Sequence, residues 1–149
     1  MILQTSTFGE LDVQDEKIII FKDGIPGFEE LKKYVIIILE QTKPFMWIQA
    51  VDEDISLPVL SPFDIDNSYS PVIDDATLEV LDIQNEKELL VLVVTVIPQE
   101  ITKMTANMAA PILINTRTGY GRQVLAEGND YQIRQPIFDI VSLKMHGGE

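Results

Sequence analysis

The stretch Pro44-Phe45-Met46-Trp47-Ile48-Gln49-Ala50-Val51-Asp52 constrains the fold more than any other part of the chain, and it holds the only tryptophan. Successive side chains of a strand point to opposite faces. A strand here therefore presents Phe45, Trp47, Gln49 and Val51 on one side and Met46, Ile48 and Ala50 on the other. Both rows are apolar but for Gln49. Such a strand must be covered twice, by a core on one face and by a helix, a second sheet or a partner on the other. Asp52, Glu53 and Asp54 follow at once. The pattern reads in two ways: a central core strand leading into a solvated turn, or a surface shaped for another protein.

The 149 residues fit one domain, 1–149, and 46% of them are hydrophobic, enough for a core. The amino terminus lacks a basic residue before an apolar stretch, so no secretory signal is expected. The strongest apolar run, Leu89 to Ile97, is far short of the roughly 20 residues that cross a bilayer. There is no cysteine, which excludes disulfides and thiolate chemistry and makes a reducing cytoplasm the default compartment. The net charge of −13 would repel a phosphate backbone. Its distribution is uneven. Between Lys43 and Lys87 there is no Lys or Arg, while Asp52, Glu53, Asp54, Asp64, Asp66, Asp74, Asp75, Glu79, Asp82 and Glu86 all fall in that interval. On a shared face these acids would attract a basic partner; dispersed, they would serve solubility.

Local patterns give many short strands. Ile2–Thr7 and Leu11–Val13 flank a tight bend at Phe8-Gly9-Glu10, and Lys17–Phe21 is a third strand. Gly24-Ile25-Pro26-Gly27-Phe28 is a shaped turn, because glycine accepts positive φ and proline fixes its own. Phe28–Lys33 should give one helical turn before a strand from Tyr34 to Glu40. Pro58 marks Ile55–Leu60 as an edge or bulged strand, since proline cannot donate to a ladder. Asp74 suits the N-cap of a short helix. Glu88–Ile97 is the longest strand and should be central, with a short helical segment after Pro98. Ala106–Asn115 and Arg122–Glu127 flank a glycine-bearing hairpin tip, Thr116–Gly121, and Tyr131–Arg134 closes the sheet. The tail from residue 138 to 149 is ambiguous, with Gly147-Gly148-Glu149 expected to fray. The fold class expected is mainly β: a single small antiparallel β-barrel or barrel-like sandwich with two or three short helices.

Catalytic constellations fail on inventory. His146, the sole histidine, lies three residues from the end beside glycines and reads as a bystander. Gly119-Tyr120-Gly121 fits a hairpin tip and lacks the helix a phosphate loop requires. Paired carboxylates leave one enzymatic alternative, an acidic carbohydrate-active or metal-binding enzyme using Asp52-Glu53-Asp54 or Asp64-Ile65-Asp66. Neither cluster has the spacing or glycine of a calcium loop, and solvated turn charges explain both. A third class is an OB-like nucleic-acid-binding barrel, with Arg117, Tyr120, Arg122, Tyr131 and Arg134 as a stacking platform. The overall charge opposes it, and a cross-strand Tyr–Arg ladder is the simpler use. No catalytic residue, metal site or cofactor is expected.

Three stretches in order, Phe21–Glu29 with its Gly-Ile-Pro-Gly-Phe turn, Pro44–Gln49, and Thr105–Asn115 with its Asn-x-x-Ala-Pro-Ile strand, resemble the bacterial flagellar assembly factor family FliW. The resemblance runs from about Thr7 to Ile137; Met108 stands where the family often has leucine, a volume-conserving exchange. It implies a small cytoplasmic β protein with two alternating partners and no direct contact with nucleic acid or membrane. One is flagellin before export, held in a chaperone-like complex. The other is CsrA, a small dimeric RNA-binding regulator, whose capture relieves repression of flagellin translation. An acidic chain suits a partner basic enough to hold RNA.

The expected partner-binding residues are Phe45, Met46, Trp47 and Val51 as apolar anchors, with Asp52, Glu53 and Asp54 as rim charges, since aromatic anchors ringed by polar groups dominate interface energetics. Gly24, Pro26, Gly27, Phe28, Asn107, Pro111 and Asn115 are motif residues expected to determine turns and core.

Overall fold

In the computed structural model, which describes residues 1–128 and 130–146, the two-faced stretch becomes an interior strand of a large antiparallel sheet. The strands are β1 (Ile2–Thr5), β2 (Gly9–Asp12), β3 (Ile19–Ile20), β4 (Lys33–Ile38), β5 (Met46–Ala50), β6 (Ser56–Leu60), β7 (Leu89–Val96), β8 (Thr105–Ala106), β9 (Ile112–Asn115), β10 (Gly121–Gln123) and β11 (Gln135–Pro136). Helix α1 (Asp75–Val80) precedes β7, and α2 (Phe138–His146) ends the described chain. The main sheet runs β10-β9-β7-β6-β5-β4-β3, with β8 attached to β7 and β11 to β8; β1 and β2 form a separate hairpin.

Each face of β5 is buried by a different part of the molecule. Ile48 and Ala50 join Phe21, Tyr34, Val59, Leu92, Ile112 and Ile114 in the core enclosed by the sheet. The opposite row reaches two further clusters. Phe45 packs with Leu60, Val93, Met104, Ile137 and Val141, beneath α2. Val51 packs against Leu3, Val13 and Val35, beneath the β1–β2 hairpin. The second cover demanded by the sequence thus comes from the chain itself.

The sheet does not close into a barrel. Its outermost strands, β3 and β10, meet through one parallel bridge, Ile20–Tyr120, where the Ile20 N–H donates to the Gly119 carbonyl at 2.7 Å. β3 is too short to carry a ladder: the expected strand Lys17–Phe21 loses its first residue to a 3-10 turn over Asp15–Lys17. Close approach at this seam requires Gly121, because a Cβ there would lie 2.8 Å from the Phe21 ring.

Other expectations hold or shift for local reasons. Asp74 caps α1, its Oδ1 accepting the Thr77 N–H at 2.7 Å. The pairing of the Thr77 hydroxyl and N–H with this carboxylate holds its pKa below the usual range. β7 is central, pairing with β6, β8 and β9, and the hairpin β9–β10 forms around Thr116–Gly121. The expected strand Ala106–Asn115 is split, because the Asn107 side chain takes the N–H groups of Ala109 and Ala110 at 3.2 and 3.1 Å. Phe28–Lys33 makes no helix: Glu29 and Glu30 form a turn and Lys33 already begins β4. Pro58 lies in an interior strand, not at an edge: β6 pairs with β7 only at Val59 and Leu60, so the missing N–H interrupts nothing. Tyr131–Arg134 is irregular, and β11 attaches at the rim in its place. The ambiguous tail becomes α2, which buries Val141, while Gly147-Gly148-Glu149 lie outside the described residues.

Gly121→Ala is expected to lower stability by about 1–3 kcal/mol through overpacking against Phe21. The check is the urea midpoint, which should fall with an unchanged slope; an unmoved midpoint would mean the seam has room to spare.

Candidate partner-binding surface

Trp47 sits between the two outer clusters and is only partly covered. Its cover is Phe8, at the tip of the β1–β2 hairpin, with ring centroids 5.5 Å apart and planes at 67°. Edge-to-face pairs of this kind contribute about 0.5–1.5 kcal/mol beyond their buried area. The indole Nε1 donates to Thr42 Oγ1 at 3.2 Å, which fixes the ring. The hairpin tip is itself held: Thr5 Oγ1 accepts the Phe8 N–H at 2.9 Å and donates to the Gly9 carbonyl at 2.8 Å.

The acidic turn is tied to the same place. Both carboxylate oxygens of Asp54 accept the Ser6 N–H, at 3.1 and 3.2 Å. Beneath the turn, the buried Gln49 donates Nε2 to the carbonyls of Ala50 and Glu53, at 3.1 and 3.5 Å. Asp52, Glu53 and Asp54 are all exposed. Trp47, Phe8 and these acids therefore form one neighbourhood, an amphipathic ring pair beside negative charge. Val51 is half-buried at its inner margin.

Two expected anchors belong elsewhere. Phe45 is 5% exposed and fills the cluster under α2, so it supports the strand from within. Met46 is half-buried on the face opposite Trp47, against the enclosed core. Phe8, which the sequence suggested only as part of a bend, takes the place beside Trp47. The sequence carries no signal for this contact, which arises only when the hairpin folds onto β5.

The motif residues shape turns, and two of the motifs converge. Gly24 has φ +68°, and a Cβ there would lie 2.6 Å from the Glu29 backbone. Glu29 Oε1 accepts the Gly27 N–H at 3.1 Å, a bond that holds its carboxyl below the usual range. Ile25, Pro26 and Phe28 line a groove of about 290 Å³ together with Asn107 and Arg134. Pro111 is buried between the turn of Asn107 and β9. Asn115 is fully buried and saturated: Nδ2 donates to the carbonyls of Leu81 and Asp82 at 2.7 and 3.1 Å. Its Oδ1 accepts the N–H groups of Arg117 and Thr118 at 2.8 and 3.3 Å.

The basic and aromatic residues near the last hairpin do not assemble into a platform. Arg117 engages Asp82 and Glu88, at 3.1 and 2.9 Å, and these carboxylates raise its pKa. Arg122 faces Asp23 at 3.6 Å, and Tyr120 lies under the Lys22 ammonium, 4.4 Å from the ring centroid. Tyr131 packs on Tyr69, whose phenol is pushed up to about 12, by burial first and by Tyr131 second. Among the described residues no three acidic or histidine side chains come together as a metal site; the His146 side chain lies outside them. No helix among them is long and apolar enough to cross a membrane.

The sequence model described as FliW protein matches residues 2–137. The chain belongs to the FliW family. A flagellar assembly factor FliW from Lachnospira eligens is 42% identical over 147 residues, covering 95% of this chain and 97% of the relative. One from Thermoanaerobacter pseudethanolicus is 38% identical over 141 residues, covering 93% and 94%. A crystal structure of the flagellar assembly factor FliW superposes with a TM-score of 0.86 at 31% identity, covering 93% of this chain and 97% of that one. The family is one of flagellar assembly factors and is not an enzyme class.

Asn115→Ala is expected to cost about 3 kcal/mol, because it removes four hydrogen bonds of a fully buried side chain, the one to the Leu81 carbonyl being itself buried. The exposed Asp52→Asn should stay within about 0.5 kcal/mol of the parent. Urea titrations of both variants check the contrast, and equal costs would contradict it.

Proposed function

We propose that this protein binds flagellin in the cytoplasm before export, as a chaperone-like partner. When free of flagellin it binds and antagonises CsrA, relieving repression of flagellin synthesis. The observation that carries this reading is family membership across nearly the whole chain, joined to a net charge of −13. A flagellar assembly factor must meet flagellar polypeptides, and an acidic one is electrostatically matched to a regulator whose surface holds RNA.

The contact surface in this proposal centres on Trp47 and Phe8, rimmed by Asp52, Glu53 and Asp54. It supplies what a strong interface uses, a rigid aromatic anchor already ordered by its neighbours and surrounded by polar groups. Val51 flanks the anchor, while Phe45 and Met46 act indirectly by setting the position of β5. Two routes to antagonism are compatible with this surface. The acids would repel phosphates from a neighbouring RNA site, or binding would favour a state of CsrA with lower RNA affinity.

The test is titration of the chain with purified flagellin and, separately, with purified CsrA. Trp47→Ala should keep the far-ultraviolet circular dichroism and weaken at least one complex by about 30-fold, the equivalent of about 2 kcal/mol. Adding flagellin should displace CsrA. A folded Trp47→Ala that binds both partners as the parent does would remove this surface from the proposal. Failure of the parent to bind either partner would remove the function.

A further inference from the structure

The edge of β4 is where the sheet is left unfinished. In an antiparallel ladder, successive residues aim their N–H and C=O groups alternately at one neighbour and the other. The Val51 N–H donates to the Lys33 carbonyl at 3.0 Å, so Lys33, Val35 and Ile37 bond toward β5. The Phe21 N–H donates to the Lys32 carbonyl at 2.8 Å, which sets Lys32, Tyr34, Ile36 and Ile38 toward the other side. On that side β3 reaches no further than Tyr34, paired with Ile19. Ile36 and Ile38 thus present N–H and C=O groups with no strand beside them.

Beside the same edge lies an apolar cavity of about 590 Å³ whose walls include Ile18, Ile36, Ile38, Met46, Leu90 and Ile114. It opens where the two ends of the sheet diverge beyond the Ile20–Tyr120 bridge. Ile38 is 60% exposed at its mouth. Proteins that keep such an edge free of partners blunt it with lysine, proline or a bulge, and β4 has none of these between Tyr34 and Ile38.

We propose that the Ile36–Ile38 edge receives an extended segment of a partner protein as an added β-strand. Main-chain hydrogen bonds would supply the attachment, and an apolar side chain of the segment would enter the cavity. The segment is basic on its outward side. The exposed Asp15 and Glu16 stand at one end of the edge with Lys17, and Glu40 stands at the other, paired with Lys43 at 2.9 Å. With the exposed Lys33 of β4 counted, these charges balance, and the attraction for a basic segment comes from the chain's net charge of −13. Trp47 projects from the opposite face of β5, so this surface does not rest on the function proposed above.

The experiment uses the full chain labelled with 15N and a nine-residue peptide that alternates valine with lysine or threonine. Two control peptides are run beside it: one N-methylated at alternate amides, and one with glutamate in place of lysine. The expected result is resonance shifts at Ile36, Ile38, Leu90 and Ile114, with amide exchange at Ile36 and Ile38 slowed about tenfold when nine-tenths of the chains are occupied. The N-methylated peptide should give no protection, and the glutamate peptide should bind more weakly at low salt. Three results would each overturn the proposal: no protection at Ile36 and Ile38, an equal response to the N-methylated peptide, or protection that rises with protein concentration alone. The last would place a second copy of the chain on the edge.

Discussion

A strand that is apolar on both faces forces a protein to bury it twice, and the organisation of this molecule follows from how β5 meets that demand. One row, Ile48 and Ala50, goes into the core enclosed by the sheet. The other row is covered from two directions, by α2 and its neighbours over Phe45 and by the β1–β2 hairpin over Val51. Trp47 falls between these covers. It is the point where a residue large enough for the interior is finished off by a single ring, Phe8, and by one hydrogen bond to Thr42.

That arrangement makes fold and recognition two readings of the same residues. The half-covered indole is rigid, because Phe8 and Thr42 hold it, and the acids of the following turn are anchored through Asp54 to the hairpin that covers it. An anchor already ordered in the free state loses little entropy on binding. The family motifs serve a different purpose. Gly24 permits a backbone approach that a Cβ would block, Asn107 redirects the chain between β8 and β9, and the buried Asn115 holds four backbone groups. In these three the side chain, or its absence, answers a need of turn geometry or polar satisfaction.

Features set by local chemistry were legible in the sequence. Asp74 as a cap and the hairpin around Thr116–Gly121 depend on near neighbours, and the centrality of β7 and the antiparallel, mainly β class follow from the apolar pattern of the strands. What depended on distant contacts was not. Barrel closure fails because β3 keeps only two strand residues, a consequence of the 3-10 turn before it. Phe8 joins the candidate surface because the hairpin folds onto β5, which no spacing in the sequence encodes. Arg117 and Arg122 are taken up by acids from other segments, Asp23, Asp82 and Glu88, while Tyr120 meets Lys22 and Tyr131 meets Tyr69. Phe45 and Trp47 alternate on one row, yet one is core and the other half-exposed, since α2 covers only one end of that row.

Trp47 is held half-covered by the hairpin tip, and the fold is expected to form without that contact. Because it is the only tryptophan, iodide quenching of its fluorescence in Phe8→Ala tests this directly. The account predicts a red-shifted emission and a larger quenching constant than in the parent, with an unaltered far-ultraviolet circular dichroism spectrum. Unchanged quenching would mean that Phe8 does not cover the ring, and loss of the spectrum would mean that the pair belongs to the core and not to a surface.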